Sequence, residues 1–359
     1  MKRLYRTRTV PARLAVLMAV TAALVATVDV HAGAGGSRDA TLLRMYQPVL
    51  VLHPDELFQP TKIQGFVSDS DLERFSGTST AQLPLDRYWT VVDSRPEPGD
   101  LPAVSPGVFY RLNQTGCNAE APFAGSACYA AAWATGSGGD SVYGRVAHTD
   151  TRIVLQYWLY YYDNPLLLPA TPFGVFWQSH ESDWELVNVI LDNHQQPVEA
   201  AYSQHCTGQR KPWAEVEKSP HESAHPVVYV ALGSHANYFA PGDGPLGAIP
   251  VPTSCIPPSI AQILPSLPFL QLADQVLGRS AGGAVIGPPG SGDTPATIHR
   301  IEGTAWSAFG GFWGESEYFF TPIPLGPVPA GAFPLGVAPA SPANQADWNP
   351  QVVLGWPIK

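Results

Sequence analysis

The stretch that decides the fold is Ile153-Val-Leu-Gln-Tyr-Trp-Leu-Tyr-Tyr-Tyr162, closed by Asp163-Asn-Pro165. Ten residues dominated by β-branched and aromatic side chains, stopped by Asp, Asn and Pro, read as a strand. Three further runs share that character: Glu185–Leu191 (ELVNVIL), Val198–Ser203 and Val227–Leu232 (VVYVAL). The first two are joined by Asp192-Asn-His-Gln-Gln-Pro197 and read as a hairpin.

Outward from this block the signals weaken. Met45–Val67 reads extended, and 93–150 reads loop-rich, with a Gly-Ser-Gly-Gly turn at 136–139. From Pro241 to the end lie 20 of the 37 prolines. Ser259–Leu277 is the one plausible helical region, and Pro265 and Pro268 interrupt it. Aromatic density returns at Trp306–Phe320 and Trp348–Trp356, so the tail is expected to pack back onto the core. The expected fold is all-β: one β-sandwich, jelly-roll-like, with long irregular loops and a Pro/Gly-rich C-terminal tail on the core. It should span 45–359, after a flexible leader at 33–44.

Composition excludes two classes. With 37 Pro among 359 residues, a helical bundle is ruled out, while 38 aromatic residues provide for a large core. The 20 Lys+Arg against 30 Asp+Glu give a formal charge of −10, which repels phosphate backbones, so no nucleic-acid partner is expected.

Residues 1–32 read as a secretory signal peptide. Lys2, Arg3, Arg6, Arg8 and Arg13 precede an apolar run from Leu14 to Val28, and Val30-His-Ala32 places small residues at a cleavage site. Cleavage there removes five cations and one anion (Asp29), leaving 15 against 29, near −14. No later apolar stretch reaches the roughly 20 residues of a spanning helix. The chain is therefore expected to be secreted or periplasmic, without a transmembrane segment. In that compartment four cysteines favour disulfides. Three pairings are possible. Cys117–Cys128, closing a Gly/Ala/Pro loop, and Cys206–Cys255, tying the tail to the core, are the preferred set.

The densest polar cluster is His180-Glu-Ser-Asp183-Trp-Glu185, at the start of a strand. A strand has period two, so Asp183 and Glu185 share a face, with His180 near its mouth. Two carboxylates and an imidazole suit Mg²⁺ or Ca²⁺ best, with Zn²⁺ or Mn²⁺ also compatible. A salt-bridged histidine on a charged strand edge explains the same pattern. Asp163, His205 and His235 stand at other strand ends, where they either cap turns or join the cluster. His53-Pro-Asp-Glu56 reads as a turn that could supply one more ligand. His221-Glu-Ser-Ala-His225 matches HExxH, but Pro220 and Pro226 deny it the helix that this protease motif requires.

Taken together, several of these stretches resemble the Vps62 family. They are Tyr46-Gln-Pro-Val-Leu-Val-Leu-His-Pro-Asp-Glu56, Gln156–Pro165, His180–Glu185, Tyr202-Ser-Gln-His205, His225–Phe239 and Phe312-Trp-Gly-Glu315. That family's central motif is HEGDWE, with Ser182 standing here at its glycine. A local resemblance to the necrosis- and ethylene-inducing peptide-like (NLP) proteins is more informative. They carry GHRHDWE after an aromatic strand ending in Asp, and are β-sandwiches that bind a divalent cation and sphingolipid sugar head groups. The resemblance implies Asp163, His180, Asp183 and Glu185 as cation ligands, with Ser182 replacing the second histidine and Ser179 the glycine.

Three functions follow as expectations. The first is a secreted module binding a glycan or glycolipid head group through a divalent cation. The second is a metal-dependent hydrolase of esters or phosphodiesters, with His205 or His235 as general base. The third is an envelope protein whose cation is purely structural.

Overall fold

The aromatic run lies at the centre of strand β6 (Ile153–Leu167), hydrogen-bonded antiparallel along its whole length to β7 (Trp177–Leu191). A computed structural model of the chain describes residues 36, 38–119, 124–136, 140–167, 174, 176–220, 224–242, 247–256, 272–292, 294–324 and 330–359. The register runs from Ile153 opposite Leu191 to Leu167 opposite Trp177. Every residue from Ile153 to Tyr162 is buried, because β6 is covered on both faces.

Around this pair the main sheet has the order β16 (Thr297–Arg300), β5 (Ser141–His148), β6, β7, β17 (Ser316–Thr321), β18 (Gly331–Val337). The far half of β7 also pairs with β8 (Pro197–Gln204), and β8 with β9 (Thr207–Pro212). A second sheet runs β11 (Asn237–Tyr238), β10 (Val227–Val230), β1 (Val49–Val51), β14 (Val285–Gly287), β15 (Thr294–Pro295). Leu50, Val228, Val230 and Ile286 from it share one core with Leu155, Tyr157, Val187 and Tyr202 of the main sheet. Each such side chain contributes roughly 1.5–3 kcal/mol on burial. Smaller sheets are β3 (Trp89–Ser94), β2 (Ser70–Phe75), β4 (Tyr110–Gln114), and β12 (Ala248–Pro250) with β13 (Ala273–Gln275).

Mostly-β architecture is as expected; details differ. Three strand pairs are parallel (β1–β10, β14–β15, β16–β5), which a jelly roll would not contain. β10 belongs to the second sheet, not beside the other three signalled strands. The stretch read as loop-rich holds β5 and a helix, α2 (Ala124–Gly136), after the short α1 (Ile63–Ser68). Six alanines in α2 carry high helix propensity, which outweighs the glycines at its ends. The folded part begins before Met45, since 38–45 are helical and bury Leu42 and Leu43. The signal segment 1–32, His221–Ser223 of the HExxH match and most of Ser259–Leu277 lie outside the described residues; Ala273–Gln275 is a strand.

Both preferred disulfides are present, Cys117–Cys128 and Cys206–Cys255. The tail packs as its tryptophans imply. Trp348 lies 5.9 Å from Trp158 and under the Arg145 guanidinium at 3.9 Å. The short helix α3 (Pro350–Leu354) follows, with Val353 in the core.

Candidate functional site

Ser182 interrupts the alternation of β7. Its φ is +52, a left-handed value that favours glycine, and its hydroxyl donates to the Trp313 carbonyl. Without it Gln178, His180 and Trp184 would share one face. Instead Gln178, His180, Asp183 and Glu185 all line one cavity of ≈ 440 Å³, together with His205 and Glu317. Trp184 also borders the cavity, while its ring stacks 5.8 Å from Trp306. His205 and His235 also have positive φ, 56 and 53. Of five such non-glycine residues among those described, three belong to this site, the kind of backbone strain that persists where surroundings over-determine it.

Behind the cavity wall His235 is fully buried, stacked on Tyr161 at 3.8 Å and 5°. Its Nδ1 lies 3.0 Å from Asp183 Oδ2 and its Nε2 3.5 Å from Glu56 Oε1. Burial alone would lower its pKa, but the Glu56 charge and the Asp183 hydrogen bond win, pushing it up to about 9. Glu56 also accepts from the Gly233 N–H at 2.7 Å; a Cβ on Gly233 (φ +72) would come 2.3 Å from the Pro165 carbonyl. His205 is built alike. Its Nε2 meets Asp274 Oδ2 at 2.8 Å, and Asp274 also accepts from Ser234 Oγ (2.6 Å) and Tyr238 OH (2.5 Å). Burial opposes protonation of His205, but Asp274 raises its pKa. His235 is therefore held as a cation near neutral pH and, fully buried, is out of reach of a substrate. That does not suit it to act as a general base, while the ring of His205 is tied to Asp274.

Glu185 accepts from Ser203 Oγ and, at 3.3 Å, from Asn237 Nδ2. Burial, and then the Asp183 charge, raise its pKa well above the usual carboxylate range. His180 has Nδ1 2.7 Å from the Ser182 carbonyl. A carbonyl only accepts, so Nδ1 carries a proton and donates it there, which leaves Nε2 as the ring nitrogen not engaged by that bond.

Asp163, the fourth expected ligand, is not in this cavity. The change of phase turns it to the opposite face, against Ser126 Oγ of α2 (3.0 Å) and Ser179 Oγ (3.5 Å), where burial pushes its pKa up to about 7. Glu181 faces that side too. It accepts from Tyr129 OH (2.8 Å) and from the N–H groups of Gln114 (3.1 Å) and Glu315 (2.9 Å), while Glu315 accepts from the Ala119 N–H. This carboxyl pair had no sequence signal beyond the motif letters. Asp274 had none either, lying in a span read as a broken helix. Glu56, from the turn read as able to supply one more ligand, instead pairs with His235.

Among the described residues no three His, Cys, Asp or Glu side chains converge closely enough to ligate one metal ion. The donor set nonetheless suits an oxygen-seeking cation. Asp183, Glu185 and Glu317 bring carboxyl groups to the cavity wall beside His180 and His205, while Glu56 and Asp274 lie behind it, paired with His235 and His205. Mg²⁺ is commonly bound by just one or two carboxylates while keeping several waters.

No family model and no curated protein matches the chain, so the Vps62 resemblance finds no support beyond its motifs. The solved structures it is similar to are NLP proteins. One is necrosis- and ethylene-inducing protein 2 from the causal agent of cocoa's witches' broom disease (19% identity, TM-score 0.27, covering 57% of this chain and 70% of that one). Another is NLPPya in complex with mannosamine (17%, TM-score 0.28, 55% and 66%), and a third is the non-toxic HaNLP3 (14%, TM-score 0.26, 53% and 62%). With TM-scores this low, the fold and the site are argued from this chain's own geometry.

Proposed function

We propose that this chain is a secreted β-sandwich protein that binds a glycan or glycolipid head group in the β7 cavity, through a divalent cation held by Asp183 and Glu185. The observation that carries the reading is the pair of carboxyl groups, Asp183 and Glu185, that share the wall of one open cavity. Mg²⁺ or Ca²⁺ suits these oxygen donors best, and His180 Nε2 is available beside them. When bound, the cation would link the protein carboxylates to sugar hydroxyls or a phosphate. The chain's own residues divide the remaining work. His235, fixed by Glu56 and Tyr161, orients Asp183; Ser203 and Asn237 orient Glu185. The lining mixes amide, carboxyl and imidazole groups with Leu166, Ile256 and Leu272, a combination suited to the polar and apolar sides of a sugar ring. Two disulfides fit an oxidising compartment.

Binding is favoured over hydrolysis because His235 is buried behind the cavity wall and held protonated, and His205 is engaged by Asp274. The test pairs liposome and glycan-array binding, with and without EDTA, with turnover of a phosphodiester panel, for the wild type and Asp183→Ala. Expected is binding that EDTA and Asp183→Ala abolish, with no turnover. Binding of uncharged glycans or head groups that is indifferent to both, or turnover that Asp183→Ala abolishes, would overturn the reading.

A further inference from the structure

A second cavity, of ≈ 400 Å³, opens beside β16, the edge strand of the main sheet. Lys62, just ahead of α1, and His299 and Arg300 of β16 stand on its walls, over Tyr143 and Trp306. Those two rings are only 3% and 6% exposed and form a fixed floor. Gln64 and Thr304 add neutral polar groups, and no acidic side chain lines the space. In a chain with 30 acidic residues to 20 basic ones, this is a local reversal of sign. It is invisible in sequence, because Lys62 and Arg300 lie 238 positions apart and are united by the parallel pairing of β16 with β5 and the Ile63 N–H bond to Tyr143 OH (2.9 Å).

The groups are available for a ligand. Lys62 has no carboxylate partner among the described residues, and Arg300 commits only Nε, to Glu302 Oε2 at 2.9 Å. His299 Nε2 lies 3.4 Å from Ser141 Oγ. Burial, and then the Lys62 ammonium, hold its pKa below the ordinary value, so the ring is neutral at pH 7 and can accept or donate. An anion brought between Lys62 and Arg300 gains charge-assisted hydrogen bonds. Gln64, Thr304 and His299 offer hydrogen-bonding groups to the hydroxyls of a sugar ring, which meets Tyr143 and Trp306 only where they remain exposed. The volume falls within the roughly 300–1,000 Å³ of small-molecule sites.

We propose that this cavity is a binding site for an anionic sugar, a pyranose whose acid group sits between Lys62 and Arg300 over Tyr143 and Trp306. It shares no residue with the Asp183–Glu185 cavity, and stands or falls separately from the cation reading. The test is calorimetric titration of the full chain with glucuronate, glucose and inorganic phosphate, in EDTA, alongside Lys62→Glu, Arg300→Glu and Asp183→Ala. Expected is one glucuronate site, with glucose and phosphate at least tenfold weaker. Either charge reversal should weaken glucuronate at least tenfold without changing the melting temperature, while Asp183→Ala and EDTA should have no effect. Absence of glucuronate binding, equal binding of glucose or bare phosphate, or binding unchanged by both charge reversals would overturn it, as would loss in Asp183→Ala.

Discussion

Ser182 shows how one backbone angle assembles a site. At φ +52 a serine is tolerated, a glycine is at ease, and a β-branched residue is not. Ser182→Val should therefore lower stability by about 3 kcal/mol, from strain plus the hydroxyl bond lost at the buried Trp313 carbonyl. Ser182→Gly exchanges strain relief for that bond and should stay within about 1 kcal/mol. Urea unfolding of both variants checks this, and equal effects would contradict it. The sequence showed that Asp183 and Glu185 share a face, because period two is local knowledge. It could not show the change of phase that adds His180 and removes Asp163, since a left-handed serine leaves no pattern.

The Glu181–Glu315 pair carries a pH prediction. Burial, and then the facing Glu181 charge, push Glu315 up to about 8, above the 4.5 of an unperturbed glutamate. A carboxyl raised in the folded state contributes fully below about pH 4.5, and that stability is lost as pH rises through about 8. Glu315→Gln keeps an acceptor for the Ala119 N–H and can donate to Glu181. It should flatten the decline and be about 1–3 kcal/mol more stable than wild type at pH 9. Denaturant titrations at pH 5, 7 and 9 would contradict this if the two slopes coincide.

At the scale of elements, β6 and β7 were legible over Ile153–Tyr162 and Glu185–Leu191, where aromatic and β-branched residues dominate. Their pairing runs on through Asp163–Leu167 and Trp177–Asp183, where Asn, Asp and Pro read as a strand end. Helix α2 was not, because small residues and a cysteine gave the look of a loop where alanine propensity prevails. Each disulfide ties down a different element. Cys117–Cys128 has a sequence separation of 11 and fixes the start of α2, while Cys206–Cys255 has one of 49 and stands at the wall of the candidate site. Loop-closure entropy ranks them, at about 3 and about 4 kcal/mol. Replacing Cys206 and Cys255 by Ala should cost more stability and also weaken ligand binding. The Cys117/Cys128 double variant should lose stability alone. Melting curves run beside binding assays separate the two outcomes, and a binding loss confined to the second variant would contradict the placement of the site.

Over the whole molecule, the clustering of prolines after residue 240 marks a chain that wraps a core and does not extend it. Trp348 against Trp158, and Val337, Pro339 and Ala340 along the cavity wall, make the tail part of the site. Distant segments thereby place unlike charges in two cavities of one acidic protein: carboxylates beside β7, basic groups beside β16. Charge counting along the chain yields only the overall sign, because each cavity joins short clusters that lie far apart in sequence, His180–Glu185 with His205 and Lys62 with His299 and Arg300. The most direct test of the account is calorimetric titration of Ca²⁺ or Mg²⁺ into metal-stripped protein, wild type and Asp183→Ala side by side. The account predicts one cation site per chain in the wild type, lost in the variant. No site in the wild type, or the same affinity in both, would contradict it.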